Sequence, residues 1–224
     1  MARGRLLVFE GMEGVGKTTQ LRRLAGALER SGVPVLAVRE PGETPVGEAI
    51  RRLLLDPSAE IAARTEALLF MASRAELVER TVRPALEAGT LVLADRFFLS
   101  TYAYQVEGRG LPDAEVRSAN RLATNALVPD LTLLLALPMA TGLARAASRG
   151  GHDRMELAGD GFLRRAAQAF EQFALADWQR EHPEAGPIEG VDASGSEADV
   201  ASRVALAIGR RWPDLAPALA PVAA

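Results

Sequence analysis

The most constraining stretch of the chain is Gly11-Met12-Glu13-Gly14-Val15-Gly16-Lys17-Thr18. It follows an apolar run of strand length, Leu6 to Phe9, and a helical pattern begins at Thr18. Strand, glycine-rich turn and helix are the context in which GxxxxGK[ST] forms a phosphate-binding loop. Glycines let successive backbone N–H groups curl round a phosphate chain without obstruction. The helix N-terminus adds unpaired donors and partial positive charge. Lys17 supplies a point charge for the β- and γ-phosphates, and Thr18 a hydroxyl for Mg²⁺. Gly11, Met12, Glu13, Gly14, Val15, Gly16, Lys17, Thr18 and Thr19 are therefore the expected nucleoside triphosphate cradle. Lys17 is the only lysine among 26 Lys and Arg residues. It falls where a compact ammonium fits a phosphate nest and a planar guanidinium fits poorly.

A loop of this kind needs a parallel sheet behind it, and the chain alternates accordingly. Strands are predicted over 5–10, 33–39, 90–94, 131–137 and 187–191. Helices are predicted over 18–31, closed by Gly32, and over 46–55. A long helix is expected over 63–88, closed by Gly89 and made irregular by Pro84. Further helices are expected over 99–106, 112–126, 140–148, 162–180 and 197–212. Five short apolar strands between helices predict one doubly wound α/β domain of three layers, a five-stranded parallel sheet flanked by helices, over 1–212. The Ala/Pro-rich remainder, 213–224, has no charge after Asp214 and is expected to be frayed or disordered.

Composition narrows the function. A net charge of -3 argues against a general nucleic-acid binder. The absence of cysteine excludes disulfides and thiolate metal sites. The first apolar run is far too short to span a membrane, and no signal peptide precedes it, so a cytoplasmic protein is expected. A GTPase would need an NKxD segment to read the base, which a single lysine already committed to the loop rules out. The strand before Asp95 ends in Asp95-Arg96 rather than in adjacent acids. One carboxylate beside one guanidinium suits a small kinase, the acid organising Mg²⁺ or water and the Arg clamping a second phosphate. Taken alone, the same pair also reads as a surface ion pair at a strand end.

Several blocks then fall in order. They are Glu10 to Gln20, Arg39-Glu40-Pro41-Gly42, Phe70 with Arg74, Asp95-Arg96-Phe97, and Ser100-Thr101-Tyr102-Ala103-Tyr104-Gln105. Gly142-Leu143 with Arg145, and the segment from Arg149 to Arg154, complete the series. Together they resemble the thymidylate kinase family, over about Leu6 to Trp212. The resemblance implies a P-loop kinase fold with a small lid at about 148–160. It implies ATP as phosphoryl donor, Mg²⁺ held through Thr18 and Asp95, and dTMP as acceptor in dTTP synthesis. A homodimer without nucleic-acid or membrane partners is also implied.

The family roles carried onto these residues are specific. Phe70 would stack on thymine, although alone it reads as helix core. Arg74, one turn along the same face, would donate to a thymine carbonyl. Thr101 would read the N3 side of the base, Tyr104 would sit against the sugar and exclude a ribose 2′-hydroxyl, and Ser100 and Gln105 would lie nearby. Arg39 and Arg96 would grip the acceptor phosphate, and Glu13 would hold the 3′-hydroxyl. Some relatives carry a catalytic arginine directly after that acid, where Gly14 stands here. Arg149 and Arg154 in the lid would replace it, with Gly150 and Gly151 as hinge. Lys17, Asp95 and Arg96 complete the catalytic set.

The chain departs from the family pattern at Glu43 in the turn after Pro41, usually a second glycine. It also departs at Ala136, often Asp, at Phe97, usually Tyr, and at Val106, commonly Gly. Two other readings stay open on the residues alone: a P-loop kinase with another nucleoside or nucleotide acceptor, and a protein that binds ATP without transferring phosphate.

Overall fold

A computed structural model of the chain describes residues 3–148 and 153–219. Its centre is β1 (Leu6–Glu10), every residue of which is buried. Beside it lie β3 (Leu91–Asp95) and β4 (Leu131–Ala136), almost as completely covered. Such continuous apolar strands belong in the middle of a parallel sheet with both faces covered. The edges are β2 (Val35–Arg39) and β5 (Ile188–Asp192), giving the order β2-β3-β1-β4-β5 with every pairing parallel. Register sets Phe9 and Arg39 on either side of Asp95. The phosphate loop, Arg39 and the Asp95-Arg96 pair therefore leave the sheet together at its carboxyl edge, where ligands bind in open α/β folds.

Helices α1 (Lys17–Arg30) and α10 (Glu197–Arg211) pack on each other and on β2, β3 and β5. A second group comprises α2 (Pro45–Leu55), α3 (Ala63–Leu77), α5 (Phe98–Thr101), α6 (Asp113–Thr124) and α8 (Asp160–Phe173), with α3 between α2 and α6. Between β4 and α8 stands α7 (Met139–Ala147). No helix among the described residues is long and apolar enough to cross a membrane.

Four expectations are corrected. The helix expected over 63–88 is α3, a π-helical turn (Val78–Val82), then α4 (Arg83–Glu87). Pro84 cannot donate to the carbonyl four residues back, and the helix widens just ahead of it. The segment after α5 is likewise a π-helical stretch, Tyr102–Gly108. The helix expected over 162–180 is two. Leu175 turns extended, and α9 (Ala176–Glu181) folds back so that Trp178 lies 4.4 Å from Phe173 and stacks on His182 at 4.0 Å. Aromatic burial outweighs the continuous helical periodicity there. Finally, of the tail expected to be frayed over 213–224, residues 213–219 are folded, and 220–224 lie outside the described residues. Pro213–Leu215 forms a 3₁₀ turn and Ala216–Leu219 a short α11, with Leu215 buried and Asp214 paired to Arg5 at 2.9 Å.

Candidate active site

The loop after β1 is shaped by its glycines. Gly14 and Gly16 adopt φ of 75° and 94°, in the left-handed region open to glycine. Gly14 is also sterically fixed: a Cβ there would come within 1.9 Å of the Gly142 carbonyl oxygen at α7. An arginine at position 14 is thus excluded by contact as well as by backbone conformation. Gly142 answers for the same reason, since its own Cβ would lie 2.8 Å from the Glu13 carbonyl oxygen.

Lys17 is buried and donates to the carbonyls of Gly11 and Met12, at 2.9 and 2.7 Å. Burial, helped by the nearby Arg96 cation, lowers its pKa to about 8. Thr18 donates to the Asp95 carboxylate at 2.5 Å. A hydroxyl and a carboxylate in contact at a helix N-terminus are hard oxygen donors of the kind Mg²⁺ shares with substrate phosphates. No cluster of three or more acidic, His or Cys residues fit for a metal exists among the described residues.

Arg96, at φ 75°, crosses from the strand end to the loop. It bonds Glu13, the Gly11 carbonyl at 3.2 Å and the Ser100 hydroxyl at 2.7 Å, and its guanidinium lies 5.4 Å from the Tyr104 ring centre. Ser100 in turn donates to Glu10 at 2.7 Å. Glu10 also accepts the backbone N–H groups of Phe97 and Ser100, at 2.7 and 3.0 Å. This buried carboxylate at the end of β1 fixes the Ser100 hydroxyl that Arg96 bonds, a role that sequence reasoning overlooked. An acid closing an otherwise apolar central strand was the available signal.

A cleft of about 370 Å³ runs from this corner. Lys17, Thr18, Thr19, Asp95 and Arg96 line it together with Arg39, Phe70, Arg74, Ser100, Thr101, Tyr104 and Gln105. Phe70 is half-buried on its wall, not sunk in the core. Tyr104 is buried, with its hydroxyl lacking a hydrogen bond, and burial raises its pKa. An unsatisfied hydroxyl on a cleft wall costs free energy until a ligand or water pairs it.

Several side chains are engaged differently from expectation. Arg74 is deeply buried and spends its donors inside the protein. They go to Glu40 at 2.7 Å, to Thr101 at 2.9 Å, to the Phe97 carbonyl at 2.8 Å and to Asn120. A guanidinium this buried must be fully paired, so Arg74 fixes Thr101 and Glu40, which line the cleft. Burial pushes the Glu40 carboxyl upward in spite of Arg74. Gln105 donates to Glu66 at 2.9 Å. Arg39 pairs with two carboxylates, Glu43 and Glu48, each at 3.1 Å. Glu43 keeps the turn by adopting φ 67° and points at Arg39. Arg51, a second cation at this end of the cleft, was not anticipated; it donates to the Pro41 carbonyl at 2.7 Å.

Of the two lid arginines, Arg149 lies outside the described residues, as do Gly150, Gly151 and His152. Arg154 does not face the phosphate loop. It is buried against Glu66 at 2.7 Å and donates to the Leu54 carbonyl at 2.8 Å. Its neighbours Asp153, Met155 and Glu156 line the cleft instead. A buried carboxylate within reach decides the direction of that side chain, and α3 supplies it.

Known proteins share much of this sequence. A family model described as thymidylate kinase matches residues 9–183. A thymidylate kinase of Deinococcus radiodurans is 48% identical over 180 residues, covering 80% of this chain and 87% of that protein. One of Ectopseudomonas mendocina is 49% identical over 173 residues, covering 77% and 82%. One of Bifidobacterium longum is 48% identical over 181 residues, covering 79% and 87%. With likeness of that depth across most of both chains, and with the loop, cleft and sheet order described above, the chain belongs to the thymidylate kinase family.

Proposed function

We propose that this protein transfers the γ-phosphoryl group of ATP to the phosphate of dTMP, releasing dTDP and ADP, in the cytoplasm. The observation that carries the reading is continuity. One cleft joins the lysine-capped loop to a pocket walled by Phe70, Thr101 and Tyr104, with Arg96 at the junction. Phosphoryl transfer needs little covalent help from a protein, and positioning with charge neutralisation supplies most of the rate. Lys17 holds the donor phosphates. Arg96, kept in place by Glu13, Ser100 and the Gly11 carbonyl, meets the anionic groups where donor and acceptor converge. Arg39 and Arg51 take the far side of the acceptor phosphate, Arg39 exchanging its carboxylate partners for it. Phe70 stacks on the base, and Tyr104 finds its missing partner in the bound nucleoside. Thr18 and Asp95 would hold Mg²⁺, whose positive charge would offset the negative charge of the phosphates.

A homodimer belongs to the same reading. Leu68 on α3 and Leu122 on α6 are 62% and 83% exposed, and α3 packs between α2 and α6. Exposed large apolar side chains on adjacent helices are the material of an interface.

The test is ADP release coupled to a reporter, with dTMP, dUMP, CMP, AMP and thymidine as acceptors. Preference for dTMP is the expected result. A preference for CMP, AMP or thymidine over dTMP and dUMP points to another kinase, and ATP binding without ADP release from any acceptor ends the kinase reading.

A further inference from the structure

Glu66 lies on α3 one helical turn before Phe70, with no exposed surface. Its carboxylate accepts four hydrogen bonds from three side chains. Gln105 donates at 2.9 Å, Arg109 at 3.1 and 2.8 Å, and Arg154 at 2.7 Å. Burial would raise its pKa, but the bonds from Arg109, Gln105 and Arg154 more than offset this and lower it. The three donors come from different parts of the chain. Gln105 lines the cleft. Arg109 closes the same segment, its guanidinium 4.4 Å from the Phe162 ring centre. Arg154 belongs to the segment 153–156, of which Asp153, Met155 and Glu156 line the cleft.

Arg154 is tied at three further points. Its side chain donates to the Leu54 carbonyl at 2.8 Å, its backbone N–H to the Leu55 carbonyl at 3.4 Å, and its guanidinium contacts the Met155 sulfur at 3.5 Å. The turn is stiffened by Asp153, which accepts the N–H groups of Met155 and Glu156 at 2.9 and 3.0 Å. With Arg154 pinned outward, Asp153, Met155 and Glu156 face inward.

We propose that Glu66 is a positioning residue, and that Arg154 is a rivet seated in it rather than a cation of the transferring phosphate. One buried carboxylate thereby sets two parts of the lining of the acceptor cleft, Gln105 with Phe70 and the segment 153–156. The inference rests on the dTMP kinase reading. Loss of either member of the pair loosens the walls that hold the acceptor while leaving the donor loop intact.

The experiment is a double-mutant cycle in the full chain: Glu66→Gln, Arg154→Met and both together. kcat and the KM values for dTMP and ATP are measured well below each variant's unfolding midpoint. Each single change is expected to raise KM for dTMP about tenfold, with kcat and KM for ATP changing far less. The double variant is expected to be no worse than the poorer single, as for residues in one network. Arg154→Lys, which keeps the charge and one donor, is expected to fall between wild type and Arg154→Met, and it replaces Arg154→Met in the cycle should that variant not fold. A loss of about a thousandfold in kcat for Arg154→Met, additive with Glu66→Gln, overturns the proposal, since that is the signature of an arginine on the migrating phosphoryl group. Lowered midpoints with all kinetic constants unchanged overturn it too. Wild-type turnover of dTMP separates the two claims. Its absence removes the acceptor reading, and its presence beside an additive cycle removes only the rivet.

Discussion

Lys17 titrates where an enzyme works. Its free-enzyme pKa of about 8 results from burial beside Arg96, and only the ammonium attracts phosphate. kcat/KM for ATP, which reports the free enzyme, is therefore expected to fall about tenfold per pH unit above pH 8. In Lys17→Met the profile should be flat and at least about a hundredfold lower. A steep fall persisting in that variant would assign the ionisation elsewhere. Stability moves the opposite way. The folded-state value lies below the ordinary lysine value of 10.5, so between about pH 8 and 10.5 the unfolded chain binds more protons, and this residue's contribution favours folding as pH rises. Glu43 makes a second prediction. It holds a left-handed backbone conformation costly for a side chain and sets a carboxylate on Arg39. Glu43→Gly is expected to relieve both and lower KM for dTMP severalfold in steady-state assays. An unchanged or higher KM would mean that Glu43 orients Arg39 rather than competing for it.

Between elements, the loop and α7 are locked by two glycines back to back. Gly142→Val puts a branched carbon 2.8 Å from the Glu13 carbonyl oxygen and must displace either α7 or the loop. The expected outcome is a rise in KM for ATP of about tenfold or more, with KM for dTMP little changed, read from initial rates at saturating partner substrate. Equal effects on both substrates would show that the displacement spreads through the sheet. Elements are also where periodicity misled. A helix pattern over 162–180 is compatible with one helix or two, and the decision fell to Trp178 packing on Phe173 and His182. Pro84 marked an irregularity correctly, but only the packed helix reveals a π turn placed before it.

For the molecule as a whole, the prediction concerns assembly. Leu68→Glu with Leu122→Glu is expected to convert a dimer into monomers in sedimentation equilibrium at micromolar concentration. The monomer should stay folded, because both leucines are largely exposed. A wild-type monomer under those conditions would remove the dimer. The parallel sheet and the phosphate loop could be read from the chain because each rests on local physics. Apolar runs of strand length seek a sheet centre, glycines permit positive φ, and parallel strands deliver their C-terminal loops to one edge. The partners of charged side chains could not be read that way. Arg154 meets Glu66 across 88 positions, Arg74 meets Glu40 across 34, and Asp214 reaches back to Arg5 across 209. A buried ion takes whichever counter-charge the packing brings within reach, and no local pattern of residues encodes that choice.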